Sequence, residues 1–102
     1  MTTTQHEAKQ RRILHRSEAY VELRTPRTTF LELERAGLIP PYTKKNERVF
    51  LYDAEHIRQV ADAMLAGASE DEIRALVKAQ VAERQERLAR LRTRIAPQLA
   101  AA

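Results

Sequence analysis

The chain has 102 residues, which is enough for one domain with a modest hydrophobic core. It contains no cysteine, and this excludes disulfides, thiolate metal sites and cysteine nucleophiles. Its formal net charge is +4, and residues 1–52 carry the excess, with 10 Lys and Arg against 6 Asp and Glu; a basic front half favours a polyanionic partner such as nucleic acid.

The hydrophobic segments of the chain are short. No apolar run approaches the roughly 18 residues that a membrane span requires. The first residues, MTTTQHEAKQRR, contain no apolar segment of the secretory-signal type. We therefore expect a cytoplasmic protein with no membrane partner.

The first predicted element is a flexible basic N-terminal arm over residues 1–16, with some helical tendency near AKQRRIL. A short helix, SEAYVELR, is predicted to follow, with Ser17 as its cap and Glu18 in its first turn, where an acid suits the helix dipole. Ala19 and Leu23 stand four residues apart and are predicted to lie on one face of this helix.

The stretch RTPRTTFLELERAGLIPP predicts a second helix with clear start and stop signals. Thr25 is expected to cap it, and Pro26 to take the first helical position, where a missing N–H costs nothing. Phe30 and Leu33 are three residues apart and are expected to face inward. Gly37 is expected to end the helix with a positive φ, and the two prolines beyond it forbid continuation.

The next stretch, YTKKNERVFLY, predicts a two-stranded β-hairpin, because its second half is β-branched and aromatic. Lys45 and Asn46 are predicted to form the tip, since Asn tolerates the left-handed conformation of a tight turn. An isolated two-stranded hairpin is only marginally stable in water. We therefore expect the hairpin to pack against the helices, with its basic tip projecting into solvent.

Asp53 is predicted to cap a third helix, DAEHIRQVADAMLAG, which Gly67 ends. Its predicted apolar stripe consists of Ile57, Val60, Ala61, Met64 and Leu65. Ser69 and Glu72 form the capping box of a last helix. That helix runs without Gly or Pro until Pro97, which predicts about 40 Å at ~1.5 Å per residue. Its early apolar positions, expected to continue the core, are Ile73, Leu76 and Val77.

This order of elements resembles the winged helix-turn-helix DNA-binding domain of the MerR family and its excisionase-like relatives. The matching pieces are TTFLELERAGLIPP, RVFLYDAEHI and GASEDEIRALV, in order and with compatible spacing. The resemblance implies a mainly α fold, a winged helix-turn-helix with a two-stranded β-hairpin wing and a long C-terminal helix. The winged domain would span residues 17–77, and residues 78–102 would form a C-terminal helical extension.

In that family the second helix enters the DNA major groove with its N-terminal turns, and the wing lies along the backbone or minor groove. The resemblance thus implies a sequence-preferring protein that binds double-stranded DNA as a transcriptional regulator or an architectural or accessory factor. Arginines can contact phosphate or base edges, and Leu31, if exposed, could touch a thymine methyl, the alternative being simple core packing. The predicted DNA-binding residues are Arg24, Arg27, Thr28, Leu31, Lys44, Lys45, Asn46 and Arg48.

An alternative function stays open at this point. Leu31, Glu32 and Leu33 stand where the family usually has an Arg and then a Tyr pair. The chain could therefore be a protein–protein interaction module on a winged-helix scaffold, without direct base readout. It would then bind its partner through Leu31, Glu32 and the long last helix.

The last helix carries a short apolar repeat. Val81, Leu88 and Ile95 recur every seven residues, and Leu91 belongs to a second row that Arg84 interrupts. This pattern predicts a homodimer, preferably antiparallel, through Val81, Leu88, Leu91 and Ile95. The alternative is a lone amphipathic helix that folds back on its own domain.

No residue pattern in the sequence predicts catalysis. His6, His15 and His56 lie far apart, and neither a Ser/His/Asp order nor a carboxylate pair suggests an active site. The chain has two glycines, Gly37 and Gly67, so a Gly-rich phosphate-binding loop is excluded. We expect no enzymatic activity, no cofactor, no metal and no small-molecule effector domain.

Overall fold

The computed structural model describes the backbone of residues 12–101 and the side chains of residues 12–98. This part of the chain is mainly helical, with a small antiparallel sheet and a long C-terminal helix. The elements in chain order are β1 (Ile13–His15), α1 (Arg16–Leu23), α2 (Arg27–Arg35), β2 (Thr43–Asn46), β3 (Val49–Asp53), α3 (Ala54–Leu65) and α4 (Glu70–Ala101).

The sheet has three strands in the order β1-β3-β2, so the prediction of a two-stranded hairpin was incomplete. The third strand comes from the predicted N-terminal arm, whose residues 1–11 lie outside the described residues. Leu14 pairs with Tyr52, and both side chains are buried. Residues 13–15 thus form a strand rather than a flexible or helical segment, because burying Leu14 holds them beside β3.

The tip of the hairpin differs from its prediction. The turn residues are Glu47 and Arg48, and Asn46 ends β2 opposite Val49. The Oδ1 atom of Asn46 accepts hydrogen bonds from the backbone amides of Arg48 (2.9 Å) and Val49 (3.1 Å). Asn46 therefore stabilises the turn through its side chain. Within residues 12–101, the only non-glycine residue with a positive φ is Arg24.

Two of the predicted helix starts were wrong by one or two residues. Helix α1 begins at Arg16 after His15, whose backbone amide donates to Glu18 Oε1 at 2.9 Å, so Ser17 is not its cap. Helix α2 begins after Pro26, which occupies the N-cap position itself. The buried Thr25 hydroxyl has no hydrogen-bond partner among the described residues and does not cap α2.

The remaining start and stop signals are confirmed. The Asp53 carboxylate accepts from the His56 backbone amide at 3.1 Å at the start of α3. At the start of α4, the Ser69 amide donates to Glu72 Oε1 (2.8 Å) and the Glu72 amide donates to Ser69 Oγ (3.2 Å). Gly37 and Gly67 follow α2 and α3 with φ of 78° and 86°, a conformation that favours glycine.

The Asp53 cap predicts a pH dependence of stability. Burial alone would raise the pKa of Asp53, but hydrogen bonds from the His56 amide and the Arg87 guanidinium hold this pKa below its ordinary value. The stabilisation is therefore complete above the unfolded pKa of about 4 and is lost as pH falls through the folded value. Urea unfolding should show Asp53→Asn about 1 kcal/mol less stable at neutral pH, with the difference shrinking as pH falls below about 4 and through the folded pKa of Asp53. A difference that is independent of pH would mean that the Asp53 charge does not contribute.

The core has an aromatic part between α1, α2 and β3. Phe30 is fully buried, and its ring centroid lies 4.8 Å from that of Tyr20 and 5.6 Å from that of Tyr52, both edge-on. A second apolar cluster connects the exit of α2 with α3 and α4. It consists of Leu38, Val60, Ile73 and Val77. The predicted inward residues Ala19, Leu23 and Leu33 all pack in this core.

Two features of the core were not predicted. Leu65 was expected in the apolar stripe of α3 but is 88% exposed, whereas its neighbour Met64 packs against the core. His56 is instead 1% exposed, and the buried Gln80 side chain of α4 donates to its carbonyl oxygen at 3.1 Å.

Helix α4 has 32 residues, or about 48 Å at ~1.5 Å per residue. Its first turns pack on α3 through Ile73 and Val77, as predicted. Its predicted end at Pro97 was wrong, since the helix continues to Ala101 with Pro97 inside it. A proline removes one backbone hydrogen bond, and here only the final turn follows it.

Candidate nucleic-acid interface

The N-terminal end of α2 is an exposed, positively polarised surface. Arg27, Thr28 and Thr29 are all exposed, the first turn holds no acid, and no side chain caps it. The first backbone N–H groups of a helix lack partners within the helix and carry a partial positive charge. Among the described residues, no ion pair involves Arg27. This end of α2 can therefore bind an anion.

The orientation of α2 is determined by its opposite face. Phe30 is enclosed by the rings of Tyr20 and Tyr52. Near the other end of the helix, Glu34 accepts hydrogen bonds from the Tyr52 hydroxyl (2.6 Å) and from Arg16 (3.2 Å). Arg16 also donates to the Tyr52 hydroxyl oxygen at 3.2 Å. These contacts hold α1, α2 and β3 together as one unit.

The cluster of Arg16, Glu34 and Tyr52 was missed in the sequence, because its members lie 18 to 36 positions apart. Burial and the hydrogen bond to Glu34 raise the pKa of Tyr52 far above its ordinary value, so the hydroxyl stays protonated as a donor. The Arg16 guanidinium lies over the Phe50 ring, 4.3 Å from its centroid, a favourable cation–π contact. The sheet and α2 are thus fixed relative to each other.

The β2–β3 hairpin presents its charges to solvent. Lys44, Lys45 and Arg48 are exposed, as predicted, but the turn also carries the almost fully exposed Glu47. Lys44 Nζ lies 3.4 Å from Glu47 Oε2. An exposed ion pair of this kind contributes little to stability, so Lys44 can exchange Glu47 for another anion. Asn46 is exposed, and its Oδ1 atom accepts from the two turn amides, so the side chain also stabilises the hairpin.

The other predicted contact residues differ in solvent exposure and in their distance from the N-terminal end of α2. Arg24 is exposed after α1 and has a left-handed backbone with φ of 52°. Leu31 is half-buried and Glu32 is exposed. Arg35 is exposed at the C-terminal end of α2, remote from Arg27.

The predicted dimer residues lie on the outer half of α4. Val81 is half-buried, while Leu88, Leu91 and Ile95 are 44%, 41% and 43% exposed. Arg84, which interrupts their row, donates to the Pro41 carbonyl and to Thr43 Oγ1. The arginine that breaks the apolar pattern thus binds α4 to its own domain.

Within residues 12–98, no group of three His, Cys, Asp or Glu side chains is placed to hold a metal ion. No helix in the described part of the chain is long and apolar enough to cross a membrane. His6 lies outside the described residues, and His56 Nε2 lies 3.6 Å from Glu83 Oε2 inside the domain.

Comparisons of the chain with protein-family models, with curated proteins and with solved structures found no match. The class of protein must therefore be argued from the geometry of the described residues.

Proposed function

We propose that the chain is a double-stranded DNA-binding protein with a MerR-like winged helix-turn-helix, acting as a transcriptional regulator or an architectural or accessory factor. The observation that carries the proposal is the uncapped, acid-free N-terminus of α2 with Arg27 and Thr28 exposed on it. This is the end of a recognition helix that enters the major groove. A cytoplasmic, nucleoid-associated location belongs to the same proposal.

The connection between α1 and α2 supports this class of fold. It consists of residues 24–26, and helix-turn-helix motifs join their helices by a turn of ~3–4 residues. Arg24 adopts there the left-handed conformation that such turns usually give to glycine. The hairpin would act as the wing, and β1 would stabilise it as the third strand.

Phosphate binding by the hairpin gives a direct test. In Lys44→Ala/Lys45→Ala, duplex affinity should fall about equally for all sequences, and the negative slope of log K against log salt should decrease in magnitude by about 2, because each lysine–phosphate contact releases nearly one counterion. Fluorescence anisotropy with random duplexes over a salt series measures this slope. Lys78→Ala, which removes an exposed lysine of α4, serves as the control and should keep the slope. An unchanged slope in the double variant would show that the hairpin does not touch DNA.

A second candidate function is a protein-interaction module on the same scaffold. The exposed Glu32 beside the half-buried Leu31 favours it, because a carboxylate on this helix would repel phosphates. The same salt titration separates the two functions. Duplex binding that is absent even at low salt would favour the interaction module.

The homodimer predicted through Val81, Leu88, Leu91 and Ile95 stays a prediction. Its support is the exposed apolar row on the outer half of α4. Sedimentation velocity over a range of protein concentrations measures it directly.

A further inference from the structure

An open groove of about 510 Å³ lies between the outer half of α4 and the segment that leads into β2. Its apolar walls are Val81, Leu88 and Leu91 on the helix and Pro41 on the opposite side, with Thr43 next to it. We refer to this surface as the α4 groove. It is separate from Arg27 and Thr28, which carry the proposed DNA contact.

The apolar row of α4 extends past the end of the groove. Leu88, Leu91 and Ile95 follow one another at i, i+3 and i+7, so they lie on one face of the helix. Each is more than 40% exposed. A single exposed leucine is ordinary, but a row of three beside a groove is the anchor pattern with which one helix binds another.

The α4 groove is formed before any partner binds. Arg84 lines it and donates to the Pro41 carbonyl and to Thr43 Oγ1, the latter at 2.7 Å. Arg87 donates to Asp53 at 3.3 Å and to Glu83 at 2.9 Å. These bonds hold α4 against the sheet. Binding of a ligand therefore carries no entropic cost for ordering α4.

The charges beside the apolar row have one sign. If Leu88 and Ile95 occupy one core row of a helix pair and Leu91 the other, the flanking positions from Arg84 onward are Gln85, Arg87, Arg92 and Arg94. Residues 84–98 contain five arginines and one acid, Glu86, which is not on a flank. A well-matched partner therefore has carboxylates on both flanks of its apolar stripe.

We propose that the α4 groove binds an acidic amphipathic helix of another protein. The leucines of that helix pack on Leu88, Leu91 and Ile95, and its carboxylates face Arg92 and Arg94. Duplex DNA would satisfy these arginines but would leave the apolar row uncovered.

A second copy of the chain, as in the homodimer considered above, is the competing occupant of the apolar row. In a parallel pair Arg92 would face Arg87, and in an antiparallel pair with Leu88 opposite Leu91 it would face Gln85 while Arg94 faces Arg87, so neither orientation places a carboxylate opposite Arg92 or Arg94. The acidic start of a second α4 is not available either. Its apolar side is buried in its own core through Ile73 and Val77.

The test uses two synthetic peptides of about three heptads with Leu in both core rows. One peptide has Glu at the flanking positions, and the other has Lys there. Isothermal titration should show that the wild-type protein binds the Glu peptide at least about tenfold more tightly than the Lys peptide, because like charges oppose the second complex. The preference should shrink as salt rises.

Two matched charge reversals locate the site. Arg92→Glu, beside the apolar row, should weaken binding of the Glu peptide by about tenfold, since it places like charges together. Arg90→Glu changes the same charge on the same helix but on the opposite face, and should alter binding less than about twofold. Leu88→Ala/Leu91→Ala should abolish binding of both peptides. Circular dichroism verifies that each variant keeps its helix content.

Three results would overturn the proposal. The first is equal affinity for the two peptides, or an equal effect of Arg92→Glu and Arg90→Glu. The second is a wild-type dimer in sedimentation that Leu88→Ala/Leu91→Ala converts to monomers, which would assign the row to a second copy. The third is loss of duplex binding in Arg92→Glu with unchanged peptide binding, which would assign the arginines to DNA.

Discussion

Phe30→Ala is expected to unfold most of the protein or to leave it barely stable. Phe30 is fully buried between the rings of Tyr20 and Tyr52. Deleting a buried phenylalanine side chain costs about 3–5 kcal/mol, and a domain of this size has only about 5–15 kcal/mol in total. Because Phe30 also anchors the inner face of α2, the proposed DNA binding should be lost with the fold.

Urea unfolding followed by circular dichroism measures this effect. The matched control is Leu65→Ala, which removes a large apolar side chain from α3 that is 88% exposed. The control should change stability by less than about 0.5 kcal/mol. A Phe30→Ala variant with the unfolding midpoint of the wild type would contradict the packing described for α2.

Arg27→Ala is expected to cost about 1–3 kcal/mol of DNA affinity and to relax the preference at one position of the site, if Arg27 bonds a guanine edge in the major groove. The side chain is exposed at the N-terminal end of α2. No ion pair with a described residue must be broken before it binds. Stability should not change, since surface substitutions away from caps and cores usually change it by less than about 0.5 kcal/mol.

Selection from a random duplex library, followed by affinity measurement on the selected site, tests this effect. Arg35→Ala removes the same side chain from the C-terminal end of the same helix, about 12 Å away at ~1.5 Å per residue. It should reduce affinity less and leave the selected sequence unchanged. If Arg27→Ala selects the same sequence as the wild type, Arg27 contacts at most a phosphate, and specificity must come from DNA shape or from a partner.

The exposed residues of the candidate interface were accessible to sequence reasoning, but their surroundings were not. Arg27, Lys44 and Lys45 are exposed where the pattern predicted. The pairing of Lys44 with Glu47 is a local contact across three residues and could have been recognised in the sequence. The Arg16, Glu34 and Tyr52 cluster could not, because nothing in the local sequence shows which distant side chains meet.

The sequence by itself determined the starts of α3 and α4 and the end of α2. The carboxylate of Asp53 reaches an amide three residues away, Ser69 and Glu72 bond each other across the same distance, and Gly37 supplies a positive φ alone. These three features depend on neighbouring residues only, so residue type and spacing predicted them, whereas the equally local cap of α1 by Glu18 and the turn at Asn46 were misplaced.

Only the tertiary structure decided the contacts between distant segments. Strand β1 joins the sheet because Leu14 is buried opposite Tyr52. Arg84 breaks the apolar row of α4 because it bonds the Pro41 carbonyl across 43 residues. The sequence shows that Leu14 is apolar and that Arg84 is charged, but it does not show what either side chain contacts. Their roles depend on which surface the fold brings against them. The α4 groove therefore becomes visible only when the helix and the segment before β2 are placed side by side.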